Sequence, residues 1–347
     1  MSEPGTMSAG IAVAVTSCLY CNDLAAQTTP AIDFYGSLRM QAERVNPDRR
    51  DRVAAYTSLR DAYSRLGVKI DYPLDATLAL LGHLEMPVDS ANFRLRDPYD
   101  QQERLRIARI GLRGRAGAIS YGQQWMPYYN AIAAPVDMFS SYYSGFATYT
   151  VFRVARTIAY ETPQLHGFSM AAAYAGSSAN SVSTSRIAAR RWQATASYTG
   201  GDTRIAAGID DRGNAGYGNN RLYGLSASHR LDTLYLAMKA ELFDTGNRRP
   251  GAFSSDGNRA ITLFGSYVAG KSTLKLMLAK VEHYGGNIVH LGLDYALADK
   301  HTLFAEVYRE EETAALFPRR GGLADAQPGM RGGRTVGRFA RDAQAFQ

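Results

Sequence analysis

The chain has 347 residues, 33 of them Gly and 22 Tyr, with a formal charge of +7 at pH 7 and a mean hydropathy of −0.26. From residue 31 onward no apolar run approaches the length of about 18 that a membrane-crossing helix needs, so that class is excluded. A membrane barrel stays open, because its strands carry a far weaker hydropathy signal, and the basic balance admits anionic partners from nucleic acid to lipid and small solutes.

Residues 1–26 differ from the rest. An apolar stretch at 11–20 precedes Leu24-Ala25-Ala26, a small-residue cleavage site, and together they read as a secretory signal. No Lys or Arg precedes the apolar stretch. Both cysteines, Cys18 and Cys21, would leave with this segment. A redox reading of Cys-x-x-Cys lacks a surrounding βαβ pattern. The stretch 15–18 also resembles a lipoprotein cleavage box, but a closed barrel needs no anchor.

From residue 32 the chain keeps a beat. Segments of about ten residues alternate apolar and polar side chains, each ended by a turn or polar loop. In 64–72, Leu66, Val68, Ile70 and Tyr72 share one face while Arg65, Lys69 and Asp71 share the other. The pattern predicts strands at 32–45, 61–74, 77–87, 103–113, 118–125, 152–161, 167–174 and 191–199. Further strands follow at 204–210, 222–231, 233–243, 260–268, 273–283, 287–297 and 301–311, with a sixteenth in the remainder. Short connections at 75–76, 200–202, 269–272 and 298–300 alternate with long ones at 46–60, 126–150, 176–189, 244–259 and 312–330. An even strand count with connections of alternating length predicts an all-β fold: a 16-stranded antiparallel transmembrane β-barrel, apolar outside and wet inside. The alternatives are a soluble β-rich binding protein and an outer-membrane barrel with an enzymatic or adhesive role.

Three signals look sharper than they are. Residues 265–272 match G-x-x-x-x-G-K-[ST], but Leu274, Leu276 and Leu278 then repeat every second residue, which is a strand where a P-loop needs a helix. The six histidines are scattered with no pair at ligand spacing, no catalytic set stands out, and no metal or cofactor is expected. Arg319-Arg320-Gly321-Gly322 and Arg331-Gly332-Gly333-Arg334 resemble RNA-binding repeats, but a basic loop facing lipopolysaccharide explains them as well, and no nucleic-acid partner is expected.

Several segments resemble the trimeric general porins of Gram-negative outer membranes. They are Ile32-Asp33-Phe34-Tyr35-Gly36, Ser64-Arg65-Leu66-Gly67-Val68-Lys69, Ile119-Ser120-Tyr121-Gly122-Gln123, Tyr160-Glu161-Thr162-Pro163 and Leu293-Asp294-Tyr295-Ala296-Leu297. Their order covers 27–347. The resemblance implies an outer-membrane homotrimer passing small hydrophilic solutes and ions, set in lipid and lipopolysaccharide. It also implies a third loop, 126–150, folded into the barrel. Asp137 is that loop's only acid, and Ser141 stands where the family usually has a second. Arg65, Arg106 and Arg153 match the family's wall arginines by motif context, while Arg39, Lys69 and Arg104 have the strand phase to join them. With more wall cations than loop acids, the expected preference is for anions. The C-terminus departs from the family pattern, which ends on an aromatic residue: the closing strand falls somewhere in 331–347, without a good apolar face.

Overall fold

The computed structural model describes residues 30–45, 56–97, 104–142, 149–176, 190–213, 218–248, 255–282, 286–310, 316–318 and 324–326. The signal expected at 1–26 and the closing strand expected within 331–347 lie outside the described residues.

The first third of the chain gives β1 (Ala31–Ser37), β2 (Met40–Val45), β3 (Tyr56–Asp61), β4 (Ser64–Pro73), β5 (Ala79–Val88), β6 (Ile107–Gly114) and β7 (Gly117–Trp125). Then come β8 (Arg153–Glu161), β9 (Phe168–Ala175), β10 (Arg191–Gly200), β11 (Thr203–Asp211), β12 (Asn220–Leu231) and β13 (Leu234–Thr245). The last long strands are β14 (Arg259–Ala269), β15 (Ser272–Val281), β16 (Gly286–Ala298) and β17 (His301–Glu310). Fifteen of these form one sheet in the order β1, then β4 through β17, each antiparallel to its neighbour. Short pairs, β2–β3 and β18 (Leu316–Pro318) with β19 (Ala324–Ala326), stand apart from it.

Side chains alternate between two environments. Along β14, Ile261 is 51% and Leu263 50% exposed, while Thr262 is 0% and Phe264 3%. In β4, Leu66 and Ile70 point outward and Arg65 inward. Only a sheet with oil outside and a polar interior leaves so many large apolar residues uncovered on one face. Tyr72, Tyr160, Phe168, Tyr198, Tyr267 and Tyr295 lie on the outer face within a few residues of short turns. They form the aromatic girdle expected at a membrane–water boundary. One of those turns is closed by Asp75, whose Oδ1 accepts from Thr77 N (2.6 Å) and Leu78 N (2.9 Å). These donors hold the carboxyl below its ordinary pKa.

Three expectations need correction. The strand expected at 32–45 breaks at Leu38–Arg39 into β1 and β2. Ser64 Oγ accepts from Arg39 N (2.7 Å) and Ala62 N donates to Arg39 O (3.0 Å), so the chain leaves β4 at that point. β2 then pairs with β3, inside the segment expected to be a loop at 46–60. The strand expected from residue 61 starts instead at Ser64, because the Asp61 carboxylate binds Ser64 N (2.8 Å) and Ser90 Oγ (2.6 Å) across a bend. As expected, the P-loop match at 265–272 spans a β14–β15 hairpin whose turn holds Gly270 at φ 59°, with strand on both sides.

Candidate constriction site

The segment after Trp125 turns into the barrel. It forms a single π-helical turn, Tyr129–Ala133, packed against the inner faces of β10 to β12, and a 3₁₀ turn, Ala134–Val136, packed against those of β12 to β14. The wall makes room with glycine: a Cβ at Gly224 would fall 2.2 Å from the Tyr128 hydroxyl oxygen, and one at Gly208 3.2 Å from the Tyr128 ring. Backbone groups find partners on the wall. Tyr128 N donates to Gln193 Oε1 (2.9 Å), while Ser226 Oγ donates to Ala131 O (2.7 Å) and the Tyr235 hydroxyl to Pro135 O (3.0 Å).

Further along, Phe139 stacks on His290 with ring centroids 3.5 Å apart, over a wall opened by Gly292. Ser140 N donates to Glu306 Oε1 (2.7 Å), and Ser141 N reaches the same carboxylate at 3.2 Å. Ser140 Oγ bonds Asp294, which also holds Lys275 Nζ at 2.5 Å. Tyr142 N donates to Gln41 Oε1 (2.8 Å) in β2. Three consecutive loop residues therefore touch β17, at one margin of the sheet, and the chain leaving β1, at the other. The sheet is coiled round the loop. The returning stem is pinned as well: Tyr149 N donates to Glu241 (3.2 Å), which pairs with Lys239 (2.6 Å) with both side chains fully buried.

Across the lumen lies a chain of alternating charges. Glu85 sits between Arg65 (3.7 Å) and Arg106 (2.8 Å), and Asp97 between Arg106 (3.0 Å) and Arg153 (3.6 Å). Arg39 shares this field, lying close enough to Arg106, Asp137, Asp294 and Glu306 to be coupled to them electrostatically. The structure thus brings Arg39, Arg65, Arg106 and Arg153 together and sets them against Asp137 and the loop. Asp137 itself accepts from the Tyr129 hydroxyl. Ser141 contributes its backbone amide to the loop's docking on Glu306. Lys69 stands one step off, its Nζ 5.1 Å from the Tyr35 ring. Arg104 is not brought in: it is exposed ahead of β6 and makes no ion pair among the described residues.

Sequence reasoning missed Glu85 and Asp97. Glu85 shares the inward phase of β5 with His83, which alternation exposes to view; its neighbour Tyr35 donates to it at 2.7 Å. Asp97 lies in an irregular connection with no local signal. Among the described residues no cluster of three or more His, Cys, Asp or Glu side chains is placed to hold a metal ion.

The family model for Gram-negative porins matches residues 6–315. No curated protein matches the chain. Among solved structures, an anion-selective porin from Comamonas acidovorans superposes with a TM-score of 0.67 at 18% identity, covering 87% of this chain and 96% of that one. Salmonella typhi OmpF, solved in complex with daunomycin, gives 0.64 at 17% identity, covering 81% and 92%. A trimer form of OmpT from Vibrio cholerae gives 0.59 at 18% identity, covering 86% and 95%. With its coiled antiparallel sheet, its outward apolar belt and its inward loop, the chain belongs to the Gram-negative porin family and forms a β-barrel channel in the outer membrane.

Proposed function

We propose that the channel passes small hydrophilic solutes by diffusion, without chemistry, and favours anions at a constriction between the inward loop and Arg39, Arg65, Arg106 and Arg153. The observation that carries this reading is the charge chain. Its arginines outnumber the two acids interleaved with them, Glu85 and Asp97, which leaves an excess of positive charge along that wall. A narrow passage with low-dielectric walls focuses that excess on a passing ion. The anion selectivity named for the Comamonas acidovorans protein agrees with this reading. Reversal potentials in a KCl gradient across a planar bilayer test it. The wild-type channel gives the sign of anion preference, and Arg153→Gln lowers the anion-to-cation ratio about two-fold, as removal of one charge seen through a wet passage does. Cation preference in the wild type, or an unmoved ratio in the variant, removes the reading.

The working assembly is a homotrimer, as in the trimer form of the Vibrio cholerae protein, with membrane lipid around the apolar belt and lipopolysaccharide at the long loops. The chain matures by loss of residues 1–26. An unboiled gel band at about three times the monomer mass, collapsing to one on boiling, is the expected result; the intact mass of the boiled species reports the removal of 1–26. A single band unmoved by heat counts against the trimer.

A further inference from the structure

Two stacks of aromatic rings join the inward loop to the arginine wall. In the first, the Arg153 guanidinium lies 4.9 Å from the ring of Trp125, the last residue of β7. Trp125 in turn stacks on Tyr129 of the loop, with centroids 4.6 Å apart. Phe152 closes the group edge-on to Tyr129 at 5.1 Å, and the Tyr129 hydroxyl donates to the Asp137 carboxylate. Wall cation, wall ring, loop ring and loop acid follow one another without a break.

The second stack, at the far end of the loop, starts in the same order and ends on a second cation. Arg106 lies 5.9 Å from the Tyr63 ring, which stacks on loop Tyr142 at 5.1 Å and 7°. Arg60 from β3 also lies over the Tyr142 ring, at 4.4 Å. Tyr63 adopts φ 65°, in the left-handed region that a bulky residue seldom takes. Such a conformation persists only where its surroundings hold it.

A ring differs from a carboxylate as a partner for arginine. Both fix the guanidinium in place, but a ring face attracts the cation through its quadrupole and leaves the net charge in the lumen uncancelled. Offset and stacked ring pairs also hold a set spacing. We infer that the stacks Arg153–Trp125–Tyr129 and Arg106–Tyr63–Tyr142–Arg60 fix the distance between loop and arginine wall, making Trp125, Tyr129, Tyr63 and Tyr142 positioning residues for ion selectivity. This rests on the constriction reading above.

The test uses the full chain in planar bilayers. Trp125→Leu and Tyr142→Leu remove a ring but no charge. Each shifts the anion-to-cation permeability ratio by at least about two-fold, because the potential at the passage depends on where the guanidinium sits, and each adds current noise at fixed voltage. Trp125→Phe and Tyr142→Phe, which keep a ring, restore ratio and quiet current. Heat-dependent gel migration identifies variants that assemble; Tyr63→Leu replaces any that do not. Leucine variants with the parental ratio and noise, or phenylalanine variants as altered as the leucine ones, overturn the inference. If the ratio responds to Arg153→Gln but not to loss of the rings, the stacks fail and the constriction stands. If it responds to neither, the constriction reading itself has failed.

Discussion

Replacing Glu306 with alanine releases the tip of the inward loop, so single-channel conductance rises and flickers. The Glu306 carboxylate accepts from Ser140 N (2.7 Å) and Ser141 N (3.2 Å), and it lies 3.0 Å from His290 Nε2. Its side chain is almost fully buried. Removing it strands two backbone donors in a site with little water, at about 1–3 kcal/mol each. What remains at the tip is the hydroxyl of Ser140 on Asp294, the stack of Phe139 on His290, and Tyr142 N on Gln41. Those contacts are comparable in size to the loss, so detached conformers become populated. Glu306→Gln keeps one acceptor oxygen and loses only the charge, so its effect is smaller. Step conductance and the uptake of sugars of increasing size by loaded liposomes read the result. A quiet, parental conductance in an alanine variant that still runs as a heat-sensitive oligomer would show that the tip is held by something else.

The barrel was legible because its physics has a period. Every long strand separates oil from a polar interior, so Leu66, Ile70, Leu263 and Leu276 alternate with inward residues in a way a single sequence displays. The alternation of short turns with long loops added direction. What the sequence hid is set by contacts between distant residues. The break after β1 depends on Ser64 meeting Arg39, and the bend before β4 on Asp61 meeting Ser90, 29 residues away. Alternation registers neither contact, so the sequence shows β2 as the end of one long strand and β3 as loop.

The site divides in the same way. Arg65 follows from strand phase. Arg106 does not: it shares its parity with outward-facing Ile110, and it turns inward only because it precedes β6, where its backbone N donates to Glu85 O (2.8 Å). Its assignment came from resemblance. Arg104 has that same outward parity and lies exposed ahead of β6, where the segment is not strand and phase gives no support for placing it beside Arg106. A period of two speaks for side chains inside paired strands and has nothing to say one residue beyond them.

Substituting valine for Gly224 narrows the pore, because the wall can no longer receive the loop. Gly224 has no positive φ, so its backbone accepts any residue; space alone requires glycine. A Cβ there would stand 2.2 Å from the Tyr128 hydroxyl oxygen and 2.8 Å from Ile132 Cγ2, both on fully buried side chains. Tyr128 cannot retreat into the wall, since Gly208 already meets its ring from the neighbouring strand. The remaining direction is the lumen. Overpacking of this kind costs about 1–3 kcal/mol, comparable to the hydrogen bonds of Tyr128 N and Ala131 O that hold this stem. Conductance falls, and flux of larger sugars falls more steeply than that of small ions. Gly224→Ala gives the same change in smaller measure. The decisive arm is the pair Gly224→Val with Tyr128→Ala. Removing the ring makes room for the new methyl groups, so the double variant conducts better than Gly224→Val alone, a non-additivity that only residues in contact produce. Additive losses in the double variant would mean that valine acts through the strand pairing of β11 and β12 and that the ring does not rest on Gly224.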